Sequence, residues 1–524
     1  MGKLTTYNIL YRTVEDCTHP WKVALAVALG SLTYGYSISI LGNTLGKPIF
    51  YVYMKLDTTG PGAGHATAII AWWNCILYAG GFFGCASTFW FATRSGRRMP
   101  IAVGAAFAAL GSALQAGSVN PEMMIVARAI LGIGVGFLLS GVPLYQAEIA
   151  PPSSRGLVVG LHASLIGYGT AVASWIGVAF FHVDGQTGWR VPLALQTVFP
   201  LTLFLLVWFL PESPRWLYMN GRGEEAEKVL IRLHRNQKDP NNEFARKEMY
   251  IIKAQIDHEL SHRLTLAVAL KTPSMRKRFI LGWATMSCTQ ASGLIVVLTY
   301  QAVIYGSLGF SPFMIGILAS IWCICNGTGN FIGGTGVDYF GRVRLIICGL
   351  ASCMVTLVLL CVLTKKYAGT TNRGGNIAAA VLTFLLIIFY TVGVEAAAFV
   401  YTSELFPGEW RALGVSTSIT AVFFWGCIFT AVASPAFANI GPLYYIVFIS
   451  CSTLMIFVAG FFFPETKGFT LEQIAAVFGD DVVDMQGRVE HGQDFVKEHE
   501  DLEHVELGQI SSETVTNIEK SQSV

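Results

Sequence analysis

Twelve apolar runs, each long enough to cross a hydrocarbon layer about 30 Å thick, leave this chain little choice of fold. They lie at about 22–42, 67–91, 100–118, 123–146, 155–181, 190–210, 279–305, 312–334, 343–364, 376–402, 412–436 and 443–463. In lipid every backbone N–H and C=O must find its partner inside the protein, so separate runs of this length are helices. Composition points the same way: 53% of the 524 residues are apolar and only 13% charged, against about a quarter charged in soluble domains. The expected class is an all-α membrane protein of twelve transmembrane helices, with little chain left over for soluble domains.

Lys and Arg in the short loops orient the bundle. Arg94, Arg97 and Arg98 follow span two, Arg155 span four, Arg342 and Arg344 span eight, and Arg411 span ten. All of these fall on one side. The other side carries Lys47, Lys55, Lys365, Lys366 and Arg373, and the richer side is the cytosolic one. Both termini are therefore expected in the cytosol. The start, Met1 to Trp21, is polar and lacks a signal peptide's apolar core, so no segment is expected to be removed.

The chain also repeats itself. Tyr145, Glu148, Pro152 and Arg155 recur as Tyr401, Glu404, Pro407 and Arg411, each set closing one apolar run and opening the next. The expected division is a cytosolic N-terminus at 1–21, a six-helix half at 22–210, a linker at 211–278, a second half at 279–463 and a C-terminal region at 464–524. Apolar residues at helical spacing in Gly223 to His234, and more weakly in Met249 to His258, predict short cytosolic helices in the linker; a solvated linker is the bland alternative. A short amphipathic helix is expected near Leu471 to Phe478, then a disordered acidic tail. A duplicated membrane bundle is an architecture of secondary transporters.

Other functions find little support. The net charge is +2 and no basic face is interleaved with aromatics, which argues against nucleic acid as a partner. Ten of the eleven cysteines, from Cys75 to Cys451, lie in the apolar runs at irregular spacing and read as small buried residues rather than disulfides or metal ligands. No nucleophile-base pair, metal cluster or phosphate loop is evident, so an enzyme, a cofactor and a metal are not expected. Gly132-x-Gly134-x-Gly136 sits inside span four, where it permits close helix packing. Asn326-Gly327-Thr328 has the glycosylation pattern, but its mid-span position argues against that use.

In its ordered motifs the chain resembles the sugar porter family of the major facilitator superfamily, particularly fungal members, over about residues 20–480. The motifs are Gly96-Arg97-Arg98; Arg128-x-x-x-Gly132-x-Gly134-x-Gly136; Tyr145-x-x-Glu148 with Arg155-Gly156; and Pro211-Glu212-Ser213-Pro214-Arg215. The second half carries Asp338 with Gly341-Arg342, Tyr401-x-x-Glu404 with Arg411, and Pro464-Glu465-Thr466-Lys467-Gly468. The resemblance implies a major facilitator fold of two six-helix halves and transport of a small solute by alternating access.

Charges at the cytosolic helix ends have a physical task in such a cycle, because a charge hydrated when that face is open must be paired when it closes. Arg97, Glu148, Arg155, Glu212 and Arg215 can form one network; Asp338, Arg342, Glu404, Arg411 and Glu465 can form its counterpart. Ordinary interfacial charges that reach the headgroups are the alternative. Thr93 stands where resembling proteins place an acid, whereas the second copy keeps Asp338, so the latch is expected to be asymmetric.

For the central site, the resemblance assigns sugar contacts to Gln290, with Thr289 in place of its usual partner Gln, and to Asn326. Tyr34, Tyr300 and Trp425 are candidate aromatic walls, each with a purely structural alternative, as helix bridging is for Gln290 and Asn326. Three departures weaken the sugar reading: Ala163 replaces a Gln, Ile295 an Asn and Phe399 a Trp. Ser37 replaces the Asp that takes up a proton in the family's symporters. Glu395, about 14 Å along the helix from Glu404, is then the best remaining acid near mid-membrane, where an ionisable residue is a functional candidate by default. It is read as a proton carrier, a substrate contact or a structural group. His162 is a second candidate for proton coupling.

The reading is a secondary transporter of a sugar or sugar-like polyhydroxylated solute, with proton coupling open, monomeric, embedded in the lipid bilayer and expected in the plasma membrane. Two alternatives stand beside it. One is a major facilitator-type importer or exporter of a specialised metabolite, such as a natural product or organic acid; the other is a transporter-derived nutrient sensor.

Overall fold

The computed structural model describes residues 20–57, 62–150, 155–234, 241–261, 271–370, 372–468, 474 and 477–479. The acidic tail and most of the helix expected at Leu471 to Phe478 lie outside these residues, as does nearly all of the N-terminal segment.

Eleven helices are long and apolar enough to span a membrane: Trp21–Leu45, Ala63–Ser95, Arg98–Ala116, Pro121–Ile149, Leu157–Ala179 and Thr187–Phe209 in the first half, and Pro312–Phe340, Arg342–Tyr367, Arg373–Glu404, Arg411–Phe437 and Gly441–Phe462 in the second. The twelfth crossing, span seven, is broken into Pro273–Ala291, Leu294–Thr299 and Gln301–Ser307. Gly293 makes the break, with φ at +73° and the Phe448 ring where a Cβ would stand. Only glycine fits both the backbone and the space. Among the described residues the protein is helical throughout, with no strand.

Sequence signals set many helix starts. Pro121, Pro273 and Pro312 occupy first-turn positions, where a missing N–H costs nothing. Asn120 and Ser311 cap Met123 and Met314.

Within the first half, span four packs on spans two and three, and span one on span five. The expected packing role of the glycine run holds. A Cβ on Gly132 or Gly136 would strike the backbone of span two, and one on Gly134 the backbone of span three.

Two helix pairs join the halves: span five with span eight, and span two with span eleven. The first pair meets through glycines, since a Cβ on Gly160 would press on Gly334 and one on Gly167 on Gly327. Close approach of this kind gains dispersion where no hydrophobic force drives helices together. The second pair interlocks rings with glycines, Phe423 over Gly81 and Tyr78 over Gly426.

The linker carries the helices Gly223–His234 and Glu243–Ser261, the second longer than the Met249 to His258 segment singled out in the sequence, with a further turn at Pro214–Met219. Trp216, Leu230, Met249, Ile252 and Ile256 share one buried cluster. The Trp216 indole donates to the Thr93 carbonyl at 3.0 Å, tying the linker to the end of span two.

Candidate functional site

The two corners announced by the sequence repeat are built alike. In the first, Arg97 Nε donates to both Glu148 oxygens, at 3.0 and 2.9 Å. Ser213 Oγ donates to the same carboxylate, and Tyr145 Oη donates to the Pro211 carbonyl at 2.5 Å. In the second, Arg342 donates to Glu404 at 3.1 and 2.8 Å, Thr466 Oγ1 to Glu404 at 2.8 Å, and Tyr401 Oη to the Pro464 carbonyl at 3.0 Å. Each arginine follows a glycine at positive φ, +96° at Gly96 and +99° at Gly341. The space beside each glycine holds a carboxylate, Glu212 or Glu465.

One expectation changes on this geometry. Glu212 and Glu465 do not serve chiefly as partners of guanidinium groups. They accept backbone N–H bonds, Glu212 from Arg97 and Ser213, and Glu465 from Arg342, Val343 and Thr466, so each caps a helix start across a chain turn. Burial pushes the Glu212 carboxyl up from its ordinary range, against the pull of those N–H groups.

Among the described residues, the ion pairs Arg97–Glu148, Arg342–Asp338 and Arg342–Glu404 each lie within one half. The bridging charge is Arg411, which is buried and acts electrostatically on Glu148 of the first half. Around it, Ala92 and Leu144 meet Ala412 in a small apolar cluster, and Cys85 Sγ donates to the Ser416 carbonyl at 3.1 Å. The halves thus meet at the corner ends of their helices. The side chain of Arg155 lies outside the described residues, and Arg215 stands in the turn that follows Ser213.

The asymmetry expected at Thr93 is visible as geometry. Asp338 accepts from Arg342 at 2.7 Å, whereas the Thr93 hydroxyl returns to its own helix carbonyls, Phe89 and Trp90.

Between the halves lies a cavity lined by residues of both. Its polar members come from the second half: Thr289, Gln290, Asn326 and Glu395. Gln290 Nε2 donates to Thr289 Oγ1 at 3.2 Å, while Gln290 Oε1 has no protein partner among the described residues. The first half contributes Tyr34, Ile38, Leu139 and Ile166, an almost wholly apolar wall.

Glu395 belongs to a polar chain. Asn330 Nδ2 donates to Glu395 Oε2 at 2.7 Å and to Asn326 Oδ1 at 2.9 Å. Span ten takes a π-helical turn at Thr391–Glu395, an irregularity that tends to accompany functional positions. Asn330 was missed in the sequence, although its i, i+4 spacing from Asn326 puts both amides on one helix face.

Not every candidate reaches this cavity. Tyr34, Thr289, Gln290, Asn326, Glu395 and Phe399 line it, with Ile295 beside them. Tyr300 and Trp425 do not: Tyr300 packs on Phe437 and donates toward the Thr430 carbonyl at 3.4 Å, and Trp425 stacks on Phe429 and donates to Ser287 at 3.0 Å. His162 is also outside. It stands behind Phe399, ring to ring at 4.9 Å, with Nδ1 at 2.7 Å from Ser31 Oγ. Ser37 accepts from Gln196 Nε2 at 2.7 Å, so the hydroxyl at the symporter acid's position braces span one against span six.

A family model for "Sugar (and other) transporter" matches residues 23–478. The MFS-type transporter criB of Aspergillus cristatus is 30% identical over 455 residues, covering 86% of this chain and 92% of that protein. A quinate permease of Neurospora africana is also 30% identical, over 89% of this chain and 90% of its own length. The fold matches the proton:xylose symporter XylE of E. coli, bound to 6-bromo-6-deoxy-D-glucose, with a TM-score of 0.74 at 22% identity, covering 88% of this chain and 99% of that one.

Proposed function

This chain belongs to the sugar (and other) transporter family of major facilitator transporters, and we propose that it carries a compact polyhydroxylated solute through the central cavity, bound by Thr289, Gln290 and Asn326. One observation supports this above the others: Gln290 lines a cavity between the halves, and its buried Oε1 has no protein partner among the described residues. A buried acceptor left unpaired costs about 1–3 kcal/mol, and a solute hydroxyl relieves it. Alternating access then follows from the two sets of contacts. The reach of Arg411 toward Glu148 and the contact of Ala92 and Leu144 with Ala412 hold the cytosolic ends together in this arrangement, and parting them exposes the same cavity to the cytosol.

A second reading has its own support, the first half's apolar wall of Ile38, Leu139 and Ile166. A cyclic metabolite with hydroxyls on one edge and a less polar opposite face matches both walls. Quinate has hydroxyls and a carboxylate on a carbocycle, and a relative bears the name of its permease. Counterflow into proteoliposomes, with hexoses, pentoses, polyols and quinate as competing solutes, separates the readings. Exchange of glucose or xylose alone supports the sugar; exchange of quinate but no hexose supports the second reading. No exchange of any member defeats both.

Glu395, with Asn330 as its hydrogen-bond partner, is the group we assign to proton coupling. Glu395→Gln keeps the shape and removes the titration, so uptake by the variant should no longer respond to an imposed pH gradient. An unchanged response overturns the assignment. We place the protein in the plasma membrane, monomeric, with both termini in the cytosol; tagging each terminus and probing intact cells tests the topology.

A further inference from the structure

Two cysteines that the sequence offered as inert apolar residues meet across the boundary between the halves. Cys75 in span two and Cys427 in span eleven place their sulfurs 2.7 Å apart. Each thiol also approaches the other's backbone carbonyl, at 3.9 and 3.8 Å. Both are free thiols and partly exposed. An S–S bond is about 2.05 Å long, so the gap to a bond is under about 1 Å.

Their setting holds them together. Tyr78, one turn from Cys75, packs on Gly426 next to Cys427, and Phe423, one turn before Cys427, packs on Gly81. Among the described residues this is the one pair of cysteine sulfurs in contact. At the other interface between the halves, Cys323 of span eight meets a hydroxyl instead, Ser174 of span five at 3.6 Å. The pair is also far from the cytosolic latch, about 30 Å along span two from Ser95 and about 24 Å along span eleven from Arg411.

We propose that Cys75 and Cys427 form an oxidisable dithiol which, when converted to a disulfide by a peroxide, ties the two halves together and restrains their relative movement. The chemistry closes. One sulfur attacks a peroxide oxygen, the O–O bond breaks, and a sulfenic acid and water result. The second sulfur attacks the sulfenic sulfur, the S–O bond breaks, water leaves and the S–S bond forms. Two thiols and one hydrogen peroxide give one disulfide and two waters, the sulfurs losing the two electrons that the peroxide gains. Hydrogen peroxide is small and uncharged, so it can reach a half-buried site within the membrane. Exchange with a small dithiol restores both thiols.

The tie links segments far apart in sequence, which makes it directly readable. A protease site inserted between residues 234 and 241 separates the halves after cleavage of the full-length protein. With hydrogen peroxide as the oxidant, the cleaved protein should run as one species on a non-reducing gel and as two after reduction. Cys75→Ser and Cys427→Ala should each run as two throughout. Separation of the oxidised wild-type halves, or joined halves in either variant, overturns the pairing. Hydrogen exchange reads the mechanical part without reference to any solute: amides of residues 144–149 and 411–416, at the cytosolic contact, should exchange more slowly in oxidised than in reduced protein. That difference should vanish in Cys427→Ala. Equal exchange in the linked and unlinked wild type overturns the restraint.

Discussion

The two halves of this transporter agree at the corners and differ at the cavity. At the corners a glycine at positive φ, an arginine, a glutamate, a tyrosine and a hydroxyl recur one for one, from Gly96, Arg97, Glu148, Tyr145 and Ser213 to Gly341, Arg342, Glu404, Tyr401 and Thr466. At the cavity the second half supplies Thr289, Gln290, Asn326 and Glu395, against a first half of Tyr34 and three aliphatic side chains. Closing a gate asks the same mechanical act of both halves, so one design serves twice. A small solute fills one site only, and its polar edge needs a single polar face.

The corners should therefore fail alike. Glu148→Ala leaves Arg97 buried without its carboxylate, and Glu404→Ala leaves Arg342, whose side chain is only 7% exposed, with its half-exposed partner Asp338 alone. Removing one partner of a buried pair costs about 3–5 kcal/mol. Both variants should unfold at markedly lower temperature in detergent and lose uptake. A Glu148→Ala variant as stable as the parent, beside a crippled Glu404→Ala, would break the equivalence of the corners.

The glycines come next in size. At Gly96 and Gly341 any side chain meets both a strained backbone, about 1–3 kcal/mol, and a glutamate oxygen occupying the position of the new Cβ. Gly96→Ala and Gly341→Ala should each lower the unfolding temperature, by less than the glutamate variants do. Should one be silent, the cap made by its glutamate is dispensable in that half.

At the cavity the halves should part company. Gln290→Ala removes a hydrogen-bond partner for the solute, about 1–1.5 kcal/mol, or roughly tenfold in KM. Ile166→Ala on the opposite wall should change the preference among solutes, favouring bulkier ones, more than it changes KM for a compact one. Ile295→Asn adds an amide to the second half's own side of the cavity, and measured KM for glucose should fall. A larger KM effect from Ile166→Ala than from Gln290→Ala would place the polar recognition on the wrong half.

What the sequence disclosed follows the same division. Spans and corners were legible because they rest on long apolar runs and on charges at fixed spacing, signals that survive in one dimension. The break at Gly293 was not, since a glycine between Ser292 and Leu294 inside an apolar run looks like any packing glycine until Phe448 is seen against it. The cavity was half legible. Gln290 and Asn326 were found, but Tyr300 turns to Phe437 and Thr430 of span eleven and Trp425 to Ser287 of span seven, and which face of a helix apolar all round meets the site is set by tertiary packing rather than by periodicity. Asn330 went unnoticed because its importance depends on Glu395, 65 residues away. The contact of Cys75 with Cys427 spans 352 positions, and no local pattern announces it.

The smallest expected effect tests the one place where the corners differ. Asp338 is 45% exposed, so its bond to Arg342 sits in a partly solvated setting where an ion pair contributes about 0–1 kcal/mol. Asp338→Asn should therefore lower the unfolding temperature only slightly, and Thr93→Ala, which loses bonds only to its own helix, less still. Thr93→Asp is the sharper variant. An acid there stands four residues before Arg97, as Asp338 does before Arg342, and would give the first corner the contact that the second already has. The cytosol-closed arrangement should then be favoured by a fraction of a kcal/mol, read as slower hydrogen exchange at residues 144–149 with uptake slightly reduced. Faster exchange would mean that the added charge repels Glu148 more than it attracts Arg97, and that the asymmetry at Thr93 is needed where Arg411 already reaches across.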